Sequence, residues 1–122
     1  MPNPFVHVEL QTKDLERAKK FYQGLFDWNL EDMPGGNGMS YTVIKVGEGT
    51  GGGMMTNPAA GTPSHWLAYV DVADIDATTE KAKSLGATVV QPKTEVPGMG
   101  WFSVIIDPTG AALAFWQTKP GM

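Results

Sequence analysis

One order of elements is met twice along this chain, about sixty residues apart, and few folds accommodate such a duplication. Val6 to Phe26, VHVELQTKDLERAKKFYQGLF, reads as a strand running into an amphipathic helix. Val6, Val8 and Leu10 alternate with His7, Glu9 and Gln11, so one face of the strand is apolar and the other carries an imidazole and a carboxylate. In the helix Leu15, Ala18, Phe21, Tyr22 and Leu25 recur at three- and four-residue spacing and form a stripe that can dock on the apolar strand face. The His7/Glu9 face is left for function.

Thr12 or Asp14 can cap this helix, with Glu16 placed where the helix dipole favours a negative charge. Strands are expected at Asn29 to Met33 and Met39 to Val46, joined by a tight hairpin at Asn37-Gly38, and at Gly52 to Thr56 after the turn region Gly47 to Gly53. NPAAGTPS, Asn57 to Ser64, is the expected linker. The order then recurs. His65 to Val70 is a strand, Asp71 to Asp74 offer caps to a helix ending at Leu85 with Gly86 as its stop, and its stripe is Ile75, Ala77 or Thr78, Ala82 and Leu85. Thr88 to Gln91, Trp101 to Ile106 and Ala112 to Gln117 complete the strands, with a long loop at Pro92 to Gly100 and a tight turn at Asp107-Pro108-Thr109-Gly110. The reading is an α+β chain of paired βαβββ modules, one at about residues 4–57 and one at about 65–117, forming a curved sheet around a concave pocket. Alternation aims His7, Glu9, His65, Leu67, Tyr69, Ala114 and Trp116 inward. Such walls suit a small organic ligand.

A length of 122 residues is that of one domain, here residues 1–122, able to bury a core without staples. Cysteine is absent, which removes disulfides, thiolate nucleophiles and cysteine-held zinc. The net charge is −4 and the nine basic residues are interspersed among acids, so no footprint for a nucleic acid exists. Neither a signal peptide nor a membrane-spanning run is read, and a cytoplasmic location is expected. The run Gly47 to Gly53 lacks the Gly-Lys-Ser/Thr ending of a phosphate loop and precedes a strand, so it is read as a hairpin.

Four stretches together carry a resemblance: His7 seven residues before Asp14, LERAKKFYQGLFDW at Leu15 to Trp28, HWLAYVDVADIDA at His65 to Ala77, and DPTGAALAFW at Asp107 to Trp116. With them the chain resembles the vicinal oxygen chelate superfamily, which includes glyoxalase I, extradiol dioxygenases, fosfomycin-resistance transferases and bleomycin-resistance binding proteins. The resemblance implies the paired-module fold and commonly a homodimer. In metal-using members four places hold a divalent cation, and these fall here on His7, Met54, His65 and Ala114. Both imidazoles match, whereas a thioether and a methyl group replace the carboxylates such ions draw on. Glu9, about 7 Å along the strand from His7, offers a substitute set of His7, Glu9 and His65; otherwise Glu9 hydrogen-bonds a neighbour such as His65, Tyr69 or Gln117 and organises the pocket floor.

Three functions follow as expectations. The first is a glyoxalase-like small-molecule-binding protein without the full metal site, recognising its ligand through His7, Glu9, Met54, His65, Tyr69, Ala114 and Trp116. The second is a metal-dependent lyase, isomerase or dioxygenase acting on vicinal oxygens. The third is a metal-free enzyme with His7 or His65 as base and Glu9 as its catalytic partner. The loop Thr94 to Gly100 is read as a candidate lid beside the pocket mouth.

Overall fold

The duplication is present in the computed structural model, which describes residues 3–34, 40–57 and 61–120. Its strands and helices run β1 (Phe5–Thr12), α1 (Leu15–Leu25), β2 (Asn29–Pro34), β3 (Ser40–Lys45), β4 (Gly52–Thr56), then β5 (His65–Asp71), α2 (Ile75–Ser84), β6 (Thr88–Val96), β7 (Gly100–Ile106) and β8 (Ala112–Thr118). This is an α+β chain of two βαβββ modules. The chain forms two compact units: His7–Leu67, and the residues from Ala68 on together with those up to Val6.

In the first unit the strand order is β2-β3-β4-β1, with β1 and β4 parallel and the remaining pairs antiparallel. Leu10, Ile44 and Met54 form the buried core, and Leu15, Ala18 and Tyr22 of α1 pack on it. Asp14 caps α1, its side chain accepting from the Arg17 amide at 3.1 Å. The helix stops without a glycine because Phe26 turns to extended backbone while its amide still donates to Tyr22. The expected stripe is too wide: Phe21 and Leu25 are 59% and 55% exposed, since only the Leu15/Ala18/Tyr22 line faces the sheet. The expected hairpin at Asn37-Gly38 lies outside the described residues.

The second unit has the order β5-β8-β7-β6. Val72, Ile75, Ile105 and Phe115 are its core, closed by Ala82, Val89, Trp101 and Leu113. One polar contact crosses this core, where the buried Thr79 and Ser103 hydroxyls meet at 2.9 Å. Asp74 caps α2, and Gly86 ends it at φ 104°, the conformation that a glycine stop supplies. Leu85, expected in the stripe, is 69% exposed. Helix stop and stripe compete at this position, and the turn of the chain toward Gly86 carries the Leu85 side chain off the core. The Asp107 turn forms as expected, its carboxylate accepting from the Thr109 hydroxyl and amide and the Ala111 amide.

Pro92 to Gly100 is not a loop. Strand β6 continues to Val96 and pairs with β7, and register shifts on either side of Gln91 absorb the proline, which cannot donate to a ladder. Only a short turn with Gly98 at φ 76° remains, and a seven-residue lid is thereby excluded. Burial predicts a contrast within α2. Ile75→Ala, at a fully buried site, is expected to cost about 2–5 kcal/mol, against less than about 0.5 kcal/mol for Leu85→Ala, with denaturant midpoints as the measurement.

Candidate functional site

In the first unit β1 carries three polar side chains at alternate positions, His7, Glu9 and Gln11, on the face opposite Leu10. In β4 the neighbour of Glu9 is Gly53, while Met54 pairs with Leu10. Paired residues of parallel strands share a face. Met54 therefore points into the helix-covered core, where it is 0% exposed, and the expected ligand-face role for Met54 is corrected by this register. The residue that β4 presents beside Glu9 has no side chain.

That vacancy is used by Tyr41. From β3 the tyrosine reaches over β4 to β1, and a Cβ on Gly53 would stand 1.9 Å from the Tyr41 hydroxyl oxygen and 2.2 Å from Cζ. Its hydroxyl lies 2.6 Å from His7 Nε2 and donates to Glu9 Oε1 at 2.9 Å. Gln11 Nε2 donates to the other oxygen, Oε2, at 2.9 Å. A phenol has one proton, and a carboxylate can only accept it. With that proton directed at Glu9, the Tyr41 oxygen is left as an acceptor toward His7. The line reads His7 Nε2–H to Tyr41 O–H to Glu9, with Gln11 closing its far end. Glu9 is 5% exposed, and two donors answer the cost of burying it. Burial holds the His7 imidazole below its usual 6.5, against the smaller upward pull of the Glu9 charge.

His65 belongs to the same unit. Its neighbour Trp66 packs its ring against Tyr22 and Trp28 on the helix side, so alternation turns His65 the other way. His65 Nδ1 lies 2.8 Å from the Pro63 carbonyl, which can only accept. The proton is on Nδ1 and, in the neutral ring, Nε2 is left as an acceptor. Tyr69, Ala114 and Trp116 lie in the second unit, where Tyr69 pairs with Ala114 and its ring stands 6.3 Å from that of Phe102. They occupy the face opposite Leu113 and Phe115, as alternation requires. Trp116 lies over Gly100, where a Cβ would come within 2.8 Å of it, and donates to Thr118.

Tyr41 and Gln11 were missed as site residues. Gln11 was legible, since it alternates onto the Glu9 face. Tyr41 was not, because its reach depends on the strand order and on one glycine. Gln117, considered above as a partner for Glu9, instead accepts from the Ile75 amide at the start of α2.

The residues fit a divalent cation poorly. Neither Met54 nor Ala114 offers an oxygen, His7 Nε2 is engaged by the Tyr41 hydroxyl, and each Glu9 oxygen is met by a donor. Among the described residues no three His, Asp or Glu side chains are grouped as a metal ion needs, the set His7, Glu9 and His65 included. On the other face of the first unit an open cavity of about 300 Å³ is lined by Val8, Ile44, Val46, Trp28, Trp66 and the Thr50–Gly52 backbone turn. It is apolar and holds none of the groups just described.

The profile of the Glyoxalase/Bleomycin resistance protein/Dioxygenase superfamily matches residues 5–115. The chain belongs to this superfamily. Two curated relatives illustrate its range. "Putative glyoxylase CFP32" of Mycobacterium tuberculosis is 40% identical over 116 residues, covering 92% of this chain and 44% of the relative. "Anthracycline biosynthesis protein DauV" of Streptomyces sp. strain C5 is 29% identical over 125 residues, covering 89% and 45%. This superfamily member thus spans less than half the length of those relatives. Among solved structures, methylmalonyl-CoA epimerase from Mycobacterium tuberculosis superposes with a TM-score of 0.71 at 17% identity, covering 95% of this chain and 88% of the epimerase. Hypothetical protein BH1468 from Bacillus halodurans C-125 gives 0.72 at 15% identity, covering 100% and 99%. At these identities the likeness is one of fold.

The lowered His7 value has a consequence for stability. Between 6.5 and the lowered value the unfolded chain holds a proton that the folded chain does not. The His7 contribution is therefore complete above pH 6.5 and is lost as pH falls through the lowered value. Unfolding measured at about pH 7.5 and about pH 5.5 should show a loss at the lower pH that is smaller in His7→Gln.

Proposed function

We propose that this member of the superfamily is a glyoxalase-like protein that binds a small organic ligand, meeting it through His7 and the Tyr41–Glu9 line behind it instead of through a bound cation. The observation that supports this most is the pair of donors on Glu9. A buried carboxylate with a donor on each oxygen is held in place by its neighbours, and turning it toward a cation would disturb hydrogen bonds worth about 1.5–3 kcal/mol each when one partner is charged. His7, half-buried, stands at the end of the line opposite Gln11. In this reading it exchanges a hydrogen bond or a proton with an oxygen of the ligand, Tyr41 and Glu9 position it, and the 122 residues work as one domain. His65 is proposed as a further ligand contact in the same unit, and Tyr69, Ala114 and Trp116 are proposed as ligand contacts of the second unit.

The family and the composition support the remaining assignments. The protein is proposed to be a cytoplasmic homodimer, consistent with the family and with the finding that no helix is long and apolar enough to cross a membrane among the described residues. The interspersed charges and net charge of −4 favour a small ligand over a nucleic acid. The names of the relatives direct the ligand search to small oxygenated acids, CoA thioesters and polycyclic aromatic ketones.

One observation favours a second reading, a metal-dependent lyase, isomerase or dioxygenase. His65 Nδ1 is bonded to a backbone carbonyl, which leaves Nε2 as the acceptor nitrogen, as in a metal-ligating histidine. A single experiment separates the two. Protein dialysed against chelator is titrated calorimetrically with those three ligand classes, with and without added Mn²⁺. The proposal expects at least one ligand whose affinity is unchanged by the metal and falls about tenfold or more, about 1.4 kcal/mol, in His7→Ala. Binding that appears only with Mn²⁺, together with one ion per chain by elemental analysis, would establish the second reading.

A further inference from the structure

The crossing of Tyr41 over Gly53 does more than fill space. Strand β4 lies between β3 and β1, so a side chain joining the outer two must pass over about 9–10 Å of sheet. A tyrosine covers most of this, and His7 and Glu9 cover the remainder from their side. Any other residue at position 53 puts a carbon where the hydroxyl must be, since even the first atom of a side chain would sit 1.9 Å from it. Glycine inside a strand is otherwise a loss, because it adds flexibility to the unfolded chain and packs nothing. At Gly53 that loss makes room for two hydrogen bonds that settle the state of an imidazole.

We propose that Tyr41, admitted by Gly53, is a positioning residue that fixes the ring proton of His7 on Nε2. The proposal rests on the functional reading above, in which His7 is the group that meets the ligand, and it adds the device that sets which nitrogen can donate. The Tyr41 proton is committed to Glu9, the Glu9 position is held from its other oxygen by Gln11, and the only role left to the Tyr41 oxygen toward His7 is that of acceptor. The two rings lie within 22° of parallel, so the phenol also limits rotation of the imidazole. His7 thereby keeps one hydrogen-bond polarity, unlike an imidazole in water, whose proton exchanges between both nitrogens.

The test is nuclear magnetic resonance on uniformly ¹⁵N-labelled protein without ligand or metal, at a pH above 6.5. In the unaltered protein the His7 ring should correlate as the Nε2–H form, with a protected, downfield Hε2 proton. Tyr41→Phe keeps the ring and removes the acceptor, so that resonance should vanish into solvent exchange. Gly53→Ala should have the same effect by another route. The atom its new Cβ meets is the end of a flexible side chain, so the tyrosine swings away while the strands remain paired. A His7 proton found on Nδ1 in the unaltered protein would overturn the proposal without any variant. So would an Hε2 resonance that persists unchanged in Tyr41→Phe. The calorimetric result stands apart from these readouts: ligand binding that proves metal-dependent removes the functional reading and leaves the position of the proton to be judged on its own.

Discussion

The site of the first unit depends on one hydroxyl group. The Tyr41 phenol joins the imidazole of His7 to the carboxylate of Glu9, and it is there because Gly53 gives it passage. The alternation of β1 places His7 and Glu9 on one face but leaves them side by side on their own strand. The third strand converts that adjacency into a directed line of donors and acceptors. Without it, Glu9 would be a buried carboxylate missing one of its donors, and burial of such a group is costly unless it is paired.

The same constraint shapes the argument about cations. A metal site needs lone pairs that point at a common empty place. Here each Glu9 oxygen meets a donor, His7 Nε2 meets the phenol, Met54 is turned into the core by the β1–β4 register, and His65 keeps Nε2 as an acceptor. In the proposed reading the donors of this chain are organised around a proton instead of a cation.

Much of this was legible in the residues and some was not, for reasons that differ in kind. The βαβββ duplication followed from periodicity and from the caps Asp14 and Asp74, because both are local. Which residues share a face of β1 and of β5 followed from period-two alternation. Register is a different matter, since slipping by one residue exchanges the two faces, and equating Met54 with a ligand-facing place fails by that single residue. The stripe residues Phe21 and Leu25 failed for a related reason: helical spacing tells which residues share a side, not how wide a surface the partner sheet offers. Pro92 misled because proline was read as a strand end where bulges accommodate it at the sheet edge. Tyr41 lay beyond sequence reasoning because its role depends on which strand comes between β3 and β1.

The account stands on where two hydrogens lie, and neutron diffraction from a deuterium-exchanged crystal locates them directly. The account predicts nuclear density for deuterium on His7 Nε2 directed at the Tyr41 oxygen, and for the Tyr41 deuterium directed at Glu9 Oε1, with none on the carboxylate. Deuterium on His7 Nδ1 with Nε2 bare, or a cation between His7 and Glu9 with Tyr41 turned aside, would contradict it.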